Sequence, residues 1–176
     1  YVRNWFLYGD PLGWSVWLQI AGPRRASMGL LDLVAEFQGF RISFWGNFGG
    51  VNIIAPEWVY TTLDAMTVLA CLGLVIGLVR RRLPALLWLP VLWLAIVFAA
   101  LIRWTLLTYA SQGRLIFPAI SAVAILLAWG LSQLPWRRVA LTVPLLTLLS
   151  FALAAPFLLI AHTYAQSFET PVVITR

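Results

Sequence analysis

The chain has no lysine, one cysteine and one histidine, and each scarcity excludes a class of protein or site. Because Cys71 is alone, the chain forms no internal disulfide and offers no cysteine-rich metal site. His162 is the single histidine, and a zinc site needs several histidine or cysteine ligands, so we predict no metal and no cofactor. Charged residues make up 10% of the 176 residues, against about 25% in a typical soluble domain.

Apolar residues are abundant in the chain, whereas charged residues are scarce. Hydrophobic residues make up 62% of the chain, and the mean hydropathy is +0.90. This composition predicts an integral membrane protein, whose lipid partners surround it. The formal net charge of +6 does not indicate a nucleic-acid partner, because the arginines lie at the ends of apolar runs, as topology signals do.

Four apolar runs predict four transmembrane helices, which form a bundle over residues 58–161. The runs cover residues 58–79, 84–102, 115–134 and 139–161. At a rise of 1.5 Å per residue each run is about 28–35 Å long, close to the bilayer core of about 30 Å. Lipid offers the backbone no hydrogen bonds, so the runs must be helical and their prolines are expected to bend them. The predicted fold class is therefore all-α, a polytopic membrane protein.

Residues 1–57 are predicted to form helices that lie in the membrane interface. Asp10, followed by Pro11, is expected to cap a first helix. Ser27 is expected to cap a second helix over residues 28–38. Apolar residues share one face of that second helix, and the acidic Asp32 and Glu36 share the opposite face.

Arginine positions predict the orientation of the bundle in an inner, or plasma, membrane. Residues 80–82 and 137–138 are arginines without an acidic neighbour, and both links lie at the same end of the bundle. The excess of arginine predicts that this end is cytoplasmic. The interfacial helices, a glycine-rich aromatic loop over residues 39–56 and the tail at 162–176 then lie on the outer face.

Three charged residues near the outer face are the candidate site residues. Asp64 lies inside the first span, about 9 Å from its outer end, where a carboxylate is costly. We predict an intramembrane ion pair with Arg103 or Arg114, which share its side of the membrane. The two arginines are also candidates to bind a lipid phosphate, Arg114 especially because it precedes a new helix. The alternatives are a structural hydrogen bond for Asp64 and ordinary snorkelling of both arginines to lipid headgroups.

Three runs of sequence, in this order, resemble one family of membrane enzymes. They are VRNWFLYGDPLGW at residues 2–14, SFWGNFGGVNIIAPEWVY at 43–60 and QGRLIFPA at 112–119. They are similar to the C-terminal half of bacterial C-type glycosyltransferases. These are phospholipid-carrier-dependent enzymes related to protein mannosyltransferases and aminoarabinose transferases. A family of predicted membrane proteins shares the Gln-Gly-Arg and Phe-Pro pattern.

The resemblance implies transfer of a sugar from a polyprenyl-phosphate carrier to an acceptor outside the membrane. Of the family's motif residues, one arginine corresponds to Arg114, the expected contact for the carrier phosphate. Leu115 follows it here, where the family often has tyrosine. The family's catalytic acid lies in a first outer loop that this sequence does not contain, so the catalytic half is expected elsewhere and no turnover is expected from these residues alone.

Two other interpretations remain open. The chain also suits a non-catalytic, accessory subunit of a larger membrane complex, whose partners would be other membrane subunits. A transporter half is a third interpretation, with Asp64 and the arginines along a path. A bound polyprenyl phosphate near Arg114 would favour the enzyme, and extensive contacts without a cavity would favour the accessory subunit.

Overall fold

The computed structural model describes residues 1–24, 29, 31–80, 84–109 and 111–169, and the chain is almost entirely helical. Its α-helices are α1 (Val2–Tyr8), α2 (Trp14–Ala21), α3 (Phe37–Trp45), α4 (Glu57–Val79), α5 (Trp88–Leu107), α6 (Ile120–Ser132), α7 (Arg137–Ala155) and α8 (His162–Glu169). Short 3₁₀ segments precede three of them, at Leu31–Glu36, Ala85–Leu87 and Gly113–Ala119, and a π-helix at Pro156–Ala161 joins α7 to α8.

The predicted membrane spans are confirmed. Within the described residues, four helices are long and apolar enough to cross a bilayer. They are Glu57–Val79, Ala85–Leu107, Gly113–Ser132 and Arg137–Ala165. The prolines leave them helical, since Pro144 lies inside α7 and Pro156 begins the π-helix. The chain is therefore an all-α, multi-pass membrane protein.

Glycines let α4 and α6 cross with their backbones in contact. A Cβ atom built on Gly73 would lie 1.9 Å from the carbonyl oxygen of Gly130, and one on Gly130 would lie 2.1 Å from that of Ala70. A Cβ on Gly77 would lie 2.3 Å from the Trp129 ring. In lipid, helices gain little from excluding water, so close packing at small residues is a main source of association.

The described residues between 1 and 56 lie at one end of the bundle, which we call the capped end. There α4 begins and α5 ends, whereas Val79 and Arg137 lie at the opposite end. The segment after α2 is bound to the last residues of α5. The amide of Arg24 donates to the carbonyl of Leu107 at 3.1 Å, and the Thr108 hydroxyl donates to the carbonyl of Gly22 at 3.1 Å.

The first predicted helix begins later than expected. Asp10 accepts hydrogen bonds from the amides of Leu12 at 3.0 Å and Ser15 at 2.9 Å, but α2 starts at Trp14 and not at Pro11. These bonds, that of Ser15 above all, lower the pKa of the Asp10 carboxyl. A separate helix, α1, precedes this turn and was not predicted.

The predicted loop over residues 39–56 is wrong in its first part, which is helical. Helix α3 runs to Trp45. Gly39 lies within this helix, and Gly46 is its C-terminal cap. The predicted second helix at 28–38 is 3₁₀ over Leu31–Glu36 before α3 begins. Its expected cap, Ser27, lies outside the described residues.

A short hairpin connects α3 to α4. Strands β1 (Asn47–Phe48) and β2 (Ile53–Ile54) pair antiparallel. The fully buried Tyr60 closes the hairpin, because its hydroxyl donates to the carbonyl of Gly46 at 2.7 Å and accepts from the amide of Ala55 at 3.0 Å. This fixes α3 relative to the start of α4.

We expect Gly73→Ala to lower the free energy of unfolding by about 1–3 kcal/mol, since the added methyl forces α4 away from α6. The matched control is Gly39→Ala, another helical glycine, whose Cβ would meet its nearest atom at 3.8 Å. That change should be neutral or stabilise by up to about 1 kcal/mol. Thermal unfolding of the solubilised protein, followed by near-ultraviolet circular dichroism, measures both. Equal effects of the two substitutions would contradict the close crossing.

Val51 lies in the hairpin loop at φ 73°, in the left-handed region that a β-branched side chain disfavours. We expect Val51→Gly to raise the free energy of unfolding by about 1 kcal/mol because glycine removes this strain. Val51→Ala keeps a Cβ atom and should recover less. The same thermal unfolding measurement applies. A loss of stability with glycine would contradict the strained backbone.

Candidate functional site

Helix α3 lies against the start of the third span because Gly113 has no side chain. A Cβ atom on Gly113 would lie 2.3 Å from the carbonyl oxygen of Phe40 and 2.5 Å from the Cβ of Phe44. Ser43, buried in the same contact, donates to the carbonyl of Gly39 at 2.6 Å and accepts the amide of Gly113 at 2.8 Å. The glycine of the Gln-Gly-Arg run thus places α3 over the bundle.

This position of α3 gives Asp64 a partner that the sequence analysis did not identify. The Arg41 guanidinium donates to Asp64 and, at 2.7 Å, to Glu57. The Trp45 indole donates to the other Asp64 oxygen at 3.1 Å. The expected pairing of Asp64 with Arg103 or Arg114 is therefore wrong. The error follows from treating Arg41 as part of a loop, when it lies on a helix that crosses α4.

The Arg41 cluster is unsuited to bind an anion. Its hydrogen bonds, first to Glu57 and then to Asp64, raise the pKa of Arg41, and the side chain is only 10% exposed. With both carboxylates ionised, one arginine faces two acids and the cluster carries one net negative charge. An added phosphate would have to displace a carboxylate that already holds the guanidinium.

A second ion pair, also missed, binds the segment after α2 to the bundle. Arg24 donates to both carboxylate oxygens of Glu36, at 2.6 and 2.7 Å, and to the carbonyl of Thr105. Its guanidinium lies 4.7 Å from the centre of the Tyr109 ring, and Ser111 donates to Glu36. The Glu36 hydrogen bond raises the pKa of Arg24.

From the sequence, Glu36 is predicted only to lie on the face opposite the apolar one, because helical periodicity carries no information about a partner outside the helix. Arg24 is 4% exposed, so the pair is closed off from solvent on the arginine side. The signal in the sequence was limited to the presence of an acid, Glu36, and of an arginine that follows Gly22-Pro23. That signal is too general to predict the contact.

One face of α5 lines two adjoining cavities, which we call the α5 groove. Residues of α5 from Val91 to Phe98 line a deeper cavity of about 520 Å³, and those from Phe98 to Thr105 line an outer cavity of about 420 Å³. The α5 residues on the wall are 91, 94, 95, 98, 101, 102 and 105, spaced as one helical face. From 91 to 105 this face is about 21 Å long.

The two cavities differ in their polar edges. Glu36, Thr105 and Ser111 border the outer cavity, at the capped end. Arg41 and Asp64 border the deeper one. Apart from Thr67 in the deeper cavity, the remaining walls are apolar, with aromatic rings from α3 prominent among them. An apolar slot with a few polar groups at its mouth is the usual form of an amphiphile site.

Arg103 and Arg114 both lie exposed at the capped end, and neither lines the α5 groove. Arg103 is on α5, but it lies roughly 140° around the helix from the middle of the groove face. Arg114 is in the first turn of the third span, and its Nε donates to the Gln112 side chain at 2.7 Å. Within the described parts of the chain, neither arginine forms an ion pair.

A third cavity of about 600 Å³ lies between α4 and α7, but it offers no comparable polar group. No charged residue lies on its wall as far as the structure describes the chain. Thr62 and Thr147 there donate to carbonyls of their own helices, at 2.8 and 2.9 Å. Cys71 is exposed on the surface of α4 and lines none of these three cavities.

We expect Arg41→Gln to lower the free energy of unfolding by about 2 kcal/mol, because Asp64 then lacks its cation inside the span. Asp64→Asn should cost less, since Arg41 keeps Glu57, and the double variant should regain part of the loss. Arg114→Gln, at an exposed arginine without an ion pair, is the control. The effects are measured by thermal unfolding of the reconstituted protein. Equal effects of Arg41→Gln and Arg114→Gln would refute the structural role of the Arg41 cluster.

Comparison with known proteins leaves this chain without an assigned family. No family model, no curated protein and no solved structure matches it. The resemblance to C-type glycosyltransferases therefore depends on the three sequence runs alone. The function must be inferred from the groove and the charges around it.

Proposed function

We propose that this chain is the membrane portion of a lipid-linked sugar transferase, in which it holds the polyprenyl-phosphate carrier. The hydrocarbon chain of the carrier lies in the α5 groove, and its phosphate binds at the capped end to Arg114 or Arg103. The partners are then membrane lipids and a polyprenyl-phosphate sugar. The catalytic acid or base belongs to a part of the enzyme outside the present sequence.

The observation that carries this proposal is the α5 groove. It is about 21 Å long and runs along a membrane span as far as the capped end, where the exposed arginines also lie. Its aromatic and aliphatic walls suit an isoprenoid chain, which offers no hydrogen bonds. The accessory-subunit interpretation was tied to the lack of a cavity, so the groove favours the carrier-binding interpretation.

The choice of phosphate ligand follows from the charges. Arg24 and Arg41 are held by carboxylates, whereas among the described residues Arg114 is paired only with the neutral Gln112 side chain. Arg114 also lies at the start of Gly113–Ser132, where backbone amides and the helix dipole favour an anion. In transfer, this arginine would neutralise the phosphate as the sugar leaves it.

The orientation of the bundle supports an outward-facing site. The end of the bundle opposite the capped end carries Arg80, Arg137 and Arg138. Arg81 and Arg82, which complete the first arginine link, lie outside the described residues. By the positive-inside rule this end faces the cytoplasm, and the capped end faces outward from the bacterial plasma membrane.

One observation favours the accessory subunit as the second candidate. Only 6% of the span containing α7 is buried, and α7 shows a largely apolar surface. In a membrane complex, helices of other subunits would cover this surface. In the accessory interpretation a partner helix would also fill the α5 groove, and no free lipid would bind there.

The test is binding of radiolabelled undecaprenyl phosphate to the protein in nanodiscs of zwitterionic phosphatidylcholine. We expect saturable binding that weakens about tenfold in Arg114→Ala, the loss of one charge-assisted contact. Arg138→Ala removes an equal charge at the opposite end and should leave binding unchanged. Absence of saturable binding, or equal loss in both variants, would contradict the proposal.

A further inference from the structure

The end of the bundle opposite the capped end carries positive charge without a balancing acid. Arg80 follows α4, and Arg137 and Arg138 begin α7. The sequence between Asp64 and Glu169 contains no acidic residue, so the helices that meet at this end supply no carboxylate. Within the described residues, none of the three arginines forms an ion pair. An anion that reaches this end therefore meets cations without competition from protein acids.

Helices α4 and α6 touch at this end, and their contact fixes the position of Arg80. A Cβ atom on Gly77 would lie 3.2 Å from the Cγ of Gln133, which follows α6. Arg80 comes three residues after Gly77, on the side of α4 that Gly73 and Gly77 turn toward α6. Its amide donates to the carbonyl of Ile76 at 3.0 Å, so the backbone of Arg80 still follows the helix.

Arg137 approaches the same place from α7. Spacings of three, four and three residues put Arg137 on one face with Ala140, Pro144 and Thr147, which are less exposed than their neighbours. This is the side on which α7 packs against the bundle, where its neighbour is α6. Arg138 lies about 100° further around the helix, outside this face.

Arg80 and Arg137 therefore both lie beside the end of α6, and with Gln133 they form what we call the basic corner. The Gln133 side chain is neutral and donates to the Ser132 hydroxyl at 3.0 Å. Neither guanidinium donates a hydrogen bond to another described residue. Each guanidinium therefore keeps its five N–H donors for an acceptor from outside the protein.

The depth of the basic corner favours the phosphate of a lipid. The corner lies where one membrane span ends and another begins, which is the level of the phospholipid headgroups. Trp136, next to Arg137, is 67% exposed, as is typical of an indole in the membrane interface. Guanidinium groups bind phosphate through paired hydrogen bonds. An anionic phospholipid presents that phosphate without the choline cation that phosphatidylcholine carries.

We propose that the basic corner is a binding site for one anionic phospholipid, whose phosphate Arg80 and Arg137 hold together. The bound headgroup joins the end of α4 to the start of α7, the span of which is only 6% buried in the protein. This proposal goes beyond carrier binding and does not depend on the α5 groove, because the basic corner and the capped end lie at opposite ends of the bundle.

The test is native mass spectrometry of the protein in a non-ionic detergent, titrated with phosphatidylglycerol or with phosphatidylcholine. It gives the dissociation constant of the first bound lipid. We expect phosphatidylglycerol to bind more tightly, and Arg80→Gln and Arg137→Gln each to weaken its binding about fivefold. The double variant should weaken it about tenfold, less than the product of the single effects, because both arginines hold one phosphate.

Arg138→Gln is the matched control, since it removes an equal charge from the next residue. It should weaken phosphatidylglycerol binding by less than about twofold, and phosphatidylcholine binding should be the same in every variant. All three arginines are exposed, so the substitutions should leave the fold intact, which thermal unfolding checks. Glycerol 3-phosphate, which has the phosphate without acyl chains, should not displace phosphatidylglycerol at equal concentration.

Equal binding of the two lipids, or an effect of Arg138→Gln as large as that of Arg137→Gln, would overturn the site. Displacement by glycerol 3-phosphate would overturn the assignment to a lipid. Single effects that multiply in the double variant would contradict a shared phosphate.

Discussion

The close contact between α3 and Gly113 determines the structure of the capped end. Because a glycine lets the α3 backbone approach the third span, the successive turns of α3 meet different parts of the bundle. Phe37 and Phe40 face the α5 groove, and Arg41 reaches the carboxylate inside α4. A side chain at Gly113 would displace all of these groups together, so one small residue organises the groove and the ion pair.

The two arginine clusters have a structural role, and this decides where a ligand charge fits. Each arginine is held by carboxylates from another part of the chain, Arg24 by Glu36 and Arg41 by Asp64 and Glu57. Such pairs stabilise the arrangement of the segments, but they leave little positive electrostatic potential to attract an anion. The exposed Arg114 is bound to a neutral amide and has no carboxylate partner among the described residues.

Sequence predicts the spans well and the capped end poorly, for one physical reason. A membrane span is fixed by its own length and apolarity, so residues 58–79 predicted Glu57–Val79 almost without error. At the capped end, tertiary contacts determine which residues are helical. The run around Arg41 is rich in glycine and suggested a loop, yet Gly39 and Gly46 lie inside and at the end of a helix.

The groove itself was beyond sequence analysis. Helix α5 is apolar on every side, so periodicity does not distinguish the face that lines the groove from the faces that meet lipid. Arg114 is a candidate from the sequence because its motif and its position before a helix are local features. Arg41 and Arg24 were missed because their roles depend on distant carboxylates.

Photo-crosslinking tests the central claim, occupancy of the α5 groove by the carrier chain, most directly. A polyprenyl phosphate with a diazirine on its hydrocarbon chain would be irradiated with the protein in nanodiscs, and the labelled residues mapped by mass spectrometry. The account predicts labels on the groove face of α5, at Leu94, Phe98 and Ile102, and on Phe40 of α3. Labels confined to α7, or spread evenly over all lipid-facing helices, would contradict it.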